Sequence, residues 1–129
     1  MEEEKTLGFD AAPSQERFTI YHNARCSKSR MAVEYLTEQG KEFEIIEYLK
    51  EVPTKEELKS VIAKLGIKAE DLIRKNETDF TENFKGKIMT EEDCIEAMIR
   101  FPKLIKRPIV VKNNKAVIAR PTNLINDLI

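Results

Sequence analysis

At 129 residues, 41% hydrophobic and 35% charged with a net charge of −1, the chain has the size and composition of one globular domain with a substantial core. That charge gives no reason to expect nucleic acid or a membrane surface as a partner. No stretch approaches the roughly 20 apolar residues of a membrane span, and two cysteines, Cys26 and Cys94, do not make a disulfide scaffold.

The first 16 residues are acidic and carry Pro13, which predicts a flexible tail ahead of a domain over residues 17–129. They lack the apolar segment of a secretory signal, so a reducing cytoplasm is the expected setting. Their charge is −4, which leaves +3 on the rest, a balance suited to a small anionic substrate. A first strand is predicted over Phe18–Tyr21. A helix capped by Ser27 or Ser29 follows, through Met31, Ala32, Tyr35 and Leu36 to Gly40. A second strand covers Phe43–Tyr48. Thr54 and Glu57 form a capping box for a helix carrying Leu58, Val61, Ile62 and Leu65 and stopped by Gly66. A short helix is expected around Asp71, Leu72 and Ile73, and residues 76–87 read as a loop. Thr90 and Asp93 open a helix whose apolar face holds Cys94, Ile95, Met98 and Ile99, with Pro102 at its end. Strands over Ile109–Val111 and Ala116–Ala119 flank an Asn113-Asn114 hairpin turn. Thr122 caps a last helix that turns Leu124, Ile125, Leu128 and Ile129 inward. The pattern β-α-β, a helical insert, then β-β-α predicts an α/β fold with a mixed four-stranded sheet.

Chemistry concentrates in Ile20–Arg30, Ile-Tyr-His-Asn-Ala-Arg-Cys-Ser-Lys-Ser-Arg. Cys26 stands where strand turns into helix, and helix N-terminal N–H groups favour a thiolate, the nucleophilic form of cysteine. Arg25, Lys28 and Arg30 add positive charge, and His22 lies four residues earlier. The plain alternative is a buried, inert thiol; for Cys94, on an apolar helix face, that is the expected fate. His22 reads equally as a structural hydrogen-bonding histidine or as a group coupled to the thiol. Asn23 either shapes the loop or donates to a substrate. Arg74, Arg107 and Arg120 read singly as surface charges, although arginine forks suit tetrahedral oxyanions.

Four motifs taken together resemble the ArsC-type, glutaredoxin-coupled arsenate reductase family, a branch of the thioredoxin-like fold. They are Tyr21–Arg30, Leu72–Asn76 (Leu-Ile-Arg-Lys-Asn), Lys106–Val111 (Lys-Arg-Pro-Ile-Val-Val) and Ala119–Pro121 (Ala-Arg-Pro). The resemblance implies that Cys26 is the nucleophile and that His22 helps to lower its pKa. It implies further that Arg74, Arg107 and Arg120 hold the oxyanion, and that Pro108 is the cis proline beside the active site. The expected site is Cys26 and His22 for catalysis, with Arg74, Arg107, Arg120 and Ser29 for substrate binding and no metal. No cofactor is expected to be bound; glutathione would be co-substrate, glutaredoxin the partner, and the protein a monomer. Asn23-Ala24-Arg25 stands where the best-known arsenate reductases carry Asn-Pro-Ala, and Ser27-Lys28 replaces a Gly-Thr pair. Two other activities therefore stay open: a glutathione-dependent thiol-disulfide oxidoreductase without arsenate activity, and a regulatory module like the Spx proteins. The Cys-x-x-Ser motif, lacking a second cysteine, speaks against the latter.

Overall fold

The computed structural model describes residues 17–129; the expected acidic tail, residues 1–16, lies outside the described residues. Four strands, β1 (Phe18–His22), β2 (Phe43–Glu47), β3 (Ile109–Lys112) and β4 (Lys115–Ile118), form one sheet in the order β2-β1-β3-β4. β1 runs parallel to β2 and antiparallel to β3, and β3 antiparallel to β4. The expected mixed sheet is therefore present, with the expected helical insert between β2 and β3. Asn113, at φ 56°, turns the β3–β4 hairpin, and the Lys112↔Lys115 pair that closes it starts β4 one residue earlier than predicted.

The sheet has a core on each face. Phe18 and Ile20 of β1 and Val110 of β3 pack with Ala32 and Leu36 of α1 (Ser27–Glu38) and with Ile125 and Leu128 near the C-terminus. Ile109 and Val111 face the other way, into a larger cluster with α2 (Lys55–Leu65) and α4 (Glu91–Arg100), which supply Leu58, Val61, Ile62, Ile95 and Met98. This is the two-face alternation that a covered strand requires. The predicted Thr54–Glu57 capping box forms, and the expected Thr90 cap is a capping box as well. The Glu57 N–H donates to Thr54 Oγ1 at 3.1 Å and the Thr54 N–H to Glu57 Oε1 at 2.8 Å; Thr90 and Asp93 repeat the exchange at 3.0 and 2.9 Å.

Three local expectations fail. Cys26, not Ser27 or Ser29, is the N-cap of α1. The Ser29 hydroxyl turns back and accepts from the Asn23 N–H, so it is not free to cap. Residues 76–87 are not all loop: α3 (Thr78–Asn83) forms there, a six-residue helix with no buried residue, attached to the larger core through half-buried Phe80 and Phe84. Its polar surface hides the periodicity by which helices are read. The last helix is 3₁₀ over Thr122–Leu128, with Pro121 rather than Thr122 as N-cap, and Leu124 and Ile129 are exposed. Asn123, Asn126 and Asp127 compete with the helical backbone and disfavour α-helix there.

Candidate active site

Sheet register builds the site. The β1–β2 pairing ends at His22↔Glu47, so the next residues outward are Asn23 and Tyr48. Arg107 lies two residues before Ile109, the β3 partner of Tyr21, and so at the same end of the sheet as Asn23. Three neighbouring strand ends thus bring Tyr48, Asn23 and Arg107 into one row. The loop from Asn23 to Cys26 is pinned there. The Cys26 N–H donates to Asn23 O at 2.9 Å, the Arg25 N–H to Asn23 Oδ1 at 3.0 Å, and Arg30 Nη1 to Ala24 O at 2.9 Å. This Asx turn delivers the chain to the start of α1 with Cys26 extended, at φ −95° and ψ 123°.

Cys26 is half-buried. Burial works against its charged form, but the backbone N–H groups of Ser29 and Lys28 and the Arg107 guanidinium outweigh it and hold the thiol below the ordinary range. No side chain caps this helix; the N–H groups that a cap would occupy are the ones that favour the thiolate. Arg107 leaves Nε and Nη1 buried and without a hydrogen-bond partner. An unpaired buried donor costs about 1–3 kcal/mol, more for a charged group, a cost that a bound anion relieves.

Arg74 reaches the same place from distant sequence. Ile73 and Ile105 pair as an isolated antiparallel bridge, with the Arg74 N–H on Leu104 O at 2.7 Å and the Lys106 N–H on Leu72 O at 2.9 Å. Arg74 Nη1 donates to Glu77 Oε2 at 2.8 Å and to Lys103 O at 3.2 Å. A cavity of about 470 Å³ beside the Cys26 loop has Asn23, Arg25, Tyr48, Arg74, Glu77 and Arg107 among its walls.

The remaining expected residues are placed differently. His22 ends β1, 8% exposed, with Nδ1 unpartnered. Burial chiefly lowers its pKa, Glu47 opposing and Arg30 assisting, so near neutrality it is an uncharged imidazole beside the site. Ser29 is fully buried; its hydroxyl braces the loop while its N–H serves the thiol. Arg120 is exposed and lines a separate cavity of about 720 Å³ with Lys106 and Ile118, Arg74 being the wall common to both. The Arg107–Pro108 peptide is cis, as the resemblance implies, and Arg120–Pro121 is cis as well. Among the described residues no group of three potential metal ligands occurs, and no helix is long and apolar enough to cross a membrane. Tyr48 and Glu77 are wall residues that the sequence did not single out, Tyr48 standing there only as the last residue of the second strand.

The ArsC family model matches residues 21–128. The chain belongs to the ArsC family. Its relatives in the family include the uncharacterized protein YfgD of Escherichia coli K12, 40% identical over 112 residues that cover 85% of this chain and 94% of that one. An arsenate reductase of Acidiphilium multivorum is 36% identical over 86% of this chain and 79% of its own. An arsenate reductase structure from Vibrio cholerae superposes with a TM-score of 0.84 at 35% identity, covering 88% of this chain and 98% of that one. The sheet order and the helical insert are those of the thioredoxin-like fold of ArsC proteins. Of the three motif arginines, Arg107 acts directly on the Cys26 thiol and shares a cavity with Arg74, while Arg120 lines a neighbouring cavity that Arg74 also borders.

Proposed function

We propose that the protein reduces arsenate to arsenite, with Cys26 as nucleophile and an external thiol, glutathione recycled through glutaredoxin, as electron source. The observation that carries this reading is Arg107, which faces Cys26 and keeps two buried donors unused. Such a pair can stabilise a thiolate and neutralise an incoming oxyanion together. In the first step a bond forms between Cys26 Sγ and arsenic, and an arsenate oxygen leaves as water. Glutathione thiolate then attacks Cys26 Sγ. A sulfur–sulfur bond forms, the sulfur–arsenic bond breaks, and its electron pair stays on arsenic, which leaves as arsenite. The Cys26–glutathione disulfide is cleared by a glutaredoxin thiol through ordinary exchange. His22, neutral near pH 7, acts beside the thiol without adding charge. The same reading takes the protein to be a cytoplasmic monomer that works from a reduced thiol pool.

A thiol-disulfide oxidoreductase using the same cysteine is the second reading. The place of Arg120 favours it: Arg120 lines a neighbouring cavity and not the one walled by Arg74 and Arg107, which leaves two of the three expected oxyanion ligands on one wall. Arsenite production from arsenate with glutathione and glutaredoxin separates the two. Turnover by the wild type and none by Cys26→Ser supports arsenate reduction. A wild type that yields no arsenite, yet is glutathionylated and recycled at Cys26, gives the second reading.

A further inference from the structure

Tyr48 follows β2 directly and is 1% exposed. Its ring belongs to the larger core cluster, while the residue also forms part of the wall of the cavity beside Cys26. The charges acting on its phenol oxygen are Arg107, Arg74 and the Cys26 thiolate, so the hydroxyl is the end that meets the site. Burial dominates and keeps this phenol protonated.

Hydrogen-bond capacity then decides which way the proton points. Asn23, on the same cavity wall, already accepts from the Arg25 N–H through Oδ1, and its remaining side-chain group, the amide NH₂, is a donor. Guanidinium groups donate only, so Arg74 and Arg107 cannot accept either. Glu77 is the one carboxylate among the cavity walls; it is ion-paired with Arg74 and is not among the groups that act on the phenol. The polar side chains beside Tyr48 in this cavity are thus mostly donors, Asn23, Arg74 and Arg107 among them, so an acceptor that enters the cavity is the natural partner for the hydroxyl hydrogen.

We infer that Tyr48 is a substrate-binding residue: its hydroxyl donates a hydrogen bond to the oxyanion held at Cys26 by Arg107 and Arg74. This rests on the oxyanion reading of the site and adds a neutral donor to it. A neutral donor suits the step. Tyr48 adds a donor without adding charge to a site where Arg107 already stands and Arg74 is ion-paired with Glu77. Donation from Tyr48 fixes one oxygen by direction instead, which orients the tetrahedral group for in-line attack by Cys26 Sγ.

The test is Tyr48→Phe, which keeps the buried ring and removes only the hydroxyl. Alkylation of Cys26 by iodoacetamide is followed in the wild type and the variant against arsenate concentration, and against pH without arsenate. The expected result is a rise of about tenfold or more in the half-protecting arsenate concentration, as loss of a hydrogen bond to a charged group implies. The pH midpoint of the unprotected reaction should stay in place, because Arg107 and the helix N–H groups set the thiolate. Equal half-protecting concentrations in the two proteins overturn the assignment to Tyr48. So does a change that appears equally in the pH midpoint, since the hydroxyl would then act on the thiol and not on the oxyanion. Failure of arsenate, phosphate and sulfate alike to protect the wild type removes the oxyanion site, and with it both the arsenate reading and the assignment of Tyr48. Matching circular dichroism and melting curves show that the variant is folded.

Discussion

The helix start at Cys26 and those at Thr54 and Thr90 use the same backbone in opposite ways. At α2 and α4 a threonine and an acid three residues on close the N-terminus, and Glu56, Glu57, Glu91, Glu92 and Asp93 crowd the first turns. At α1 no side chain caps the end and no acid lies in the first turn. The closed ends satisfy their own N–H groups and hold the helices in place. The open end leaves its donors to a thiolate, with a cation beside it. The two cysteines sharpen the contrast. Cys94 also stands near a helix N-terminus, four residues past the Thr90 cap, but burial pushes its pKa up and Glu70, Glu91 and Asp93 push the same way. Proximity to a helix start therefore does not make a thiol reactive; an N-cap position and cationic neighbours do.

The contrast breaks most completely at Arg107. Arg107→Ala should lose about a hundredfold or more in arsenate protection of Cys26, since a buried, charge-assisted donor goes with it. It should also raise the pH needed for alkylation, because the guanidinium favours the thiolate. Unchanged values for both would show that the helix end suffices. Next in size is the difference between the cysteines. Only thiolate reacts, so a lowered pKa keeps Cys26 reactive to lower pH, and a raised one confines Cys94 to alkaline solution. Site-resolved mass spectrometry at neutral pH should find Cys26 modified about tenfold or more faster; comparable rates would erase the distinction. Thr90→Ala or Thr54→Ala should cost about 1 kcal/mol in urea unfolding without moving Cys26 reactivity. The smallest effect is the most pointed: Ser27→Asp gives α1 the acidic first turn of the other helices. It should strengthen the helix by about 0.3–1 kcal/mol while slowing Cys26 alkylation severalfold near neutrality. A variant that gains stability and keeps its rate would separate the two roles of the helix end.

What could be read from the chain divides by sequence distance. The strands, to within a residue at each end, the Thr54–Glu57 capping box, the Thr90 cap, the Gly66 stop and the Asn113 turn are short-range patterns, and they appeared where expected. Cys26 was legible because strand, turn and helix start lie within a few residues. α3 was not, since its attachment runs through Phe80 and Phe84 packing onto distant core. The meeting of Arg74 and Arg107 depends on the Ile73↔Ile105 bridge, which no local pattern signals. Tyr48 was hidden for another reason: alternation separates buried from exposed residues, but cannot tell a core ring from one whose hydroxyl looks into a cavity. Arg120 shows the converse limit: its motif gives its place in the order of the chain, but not which of two neighbouring cavities it lines.

The row Tyr48–Asn23–Arg107 across three strand ends makes the sheet a measuring rule. A slip of one residue between β1 and its neighbours moves the ends by about 3.3 Å, more than a whole hydrogen bond, and separates thiol, phenol and guanidinium. Helices tolerate loosened packing far better than such a row does. On warming or in mild denaturant, chemistry at Cys26 should therefore fade while the helical circular dichroism is still intact, so that activity reports on the centre of the sheet and spectroscopy on its cover.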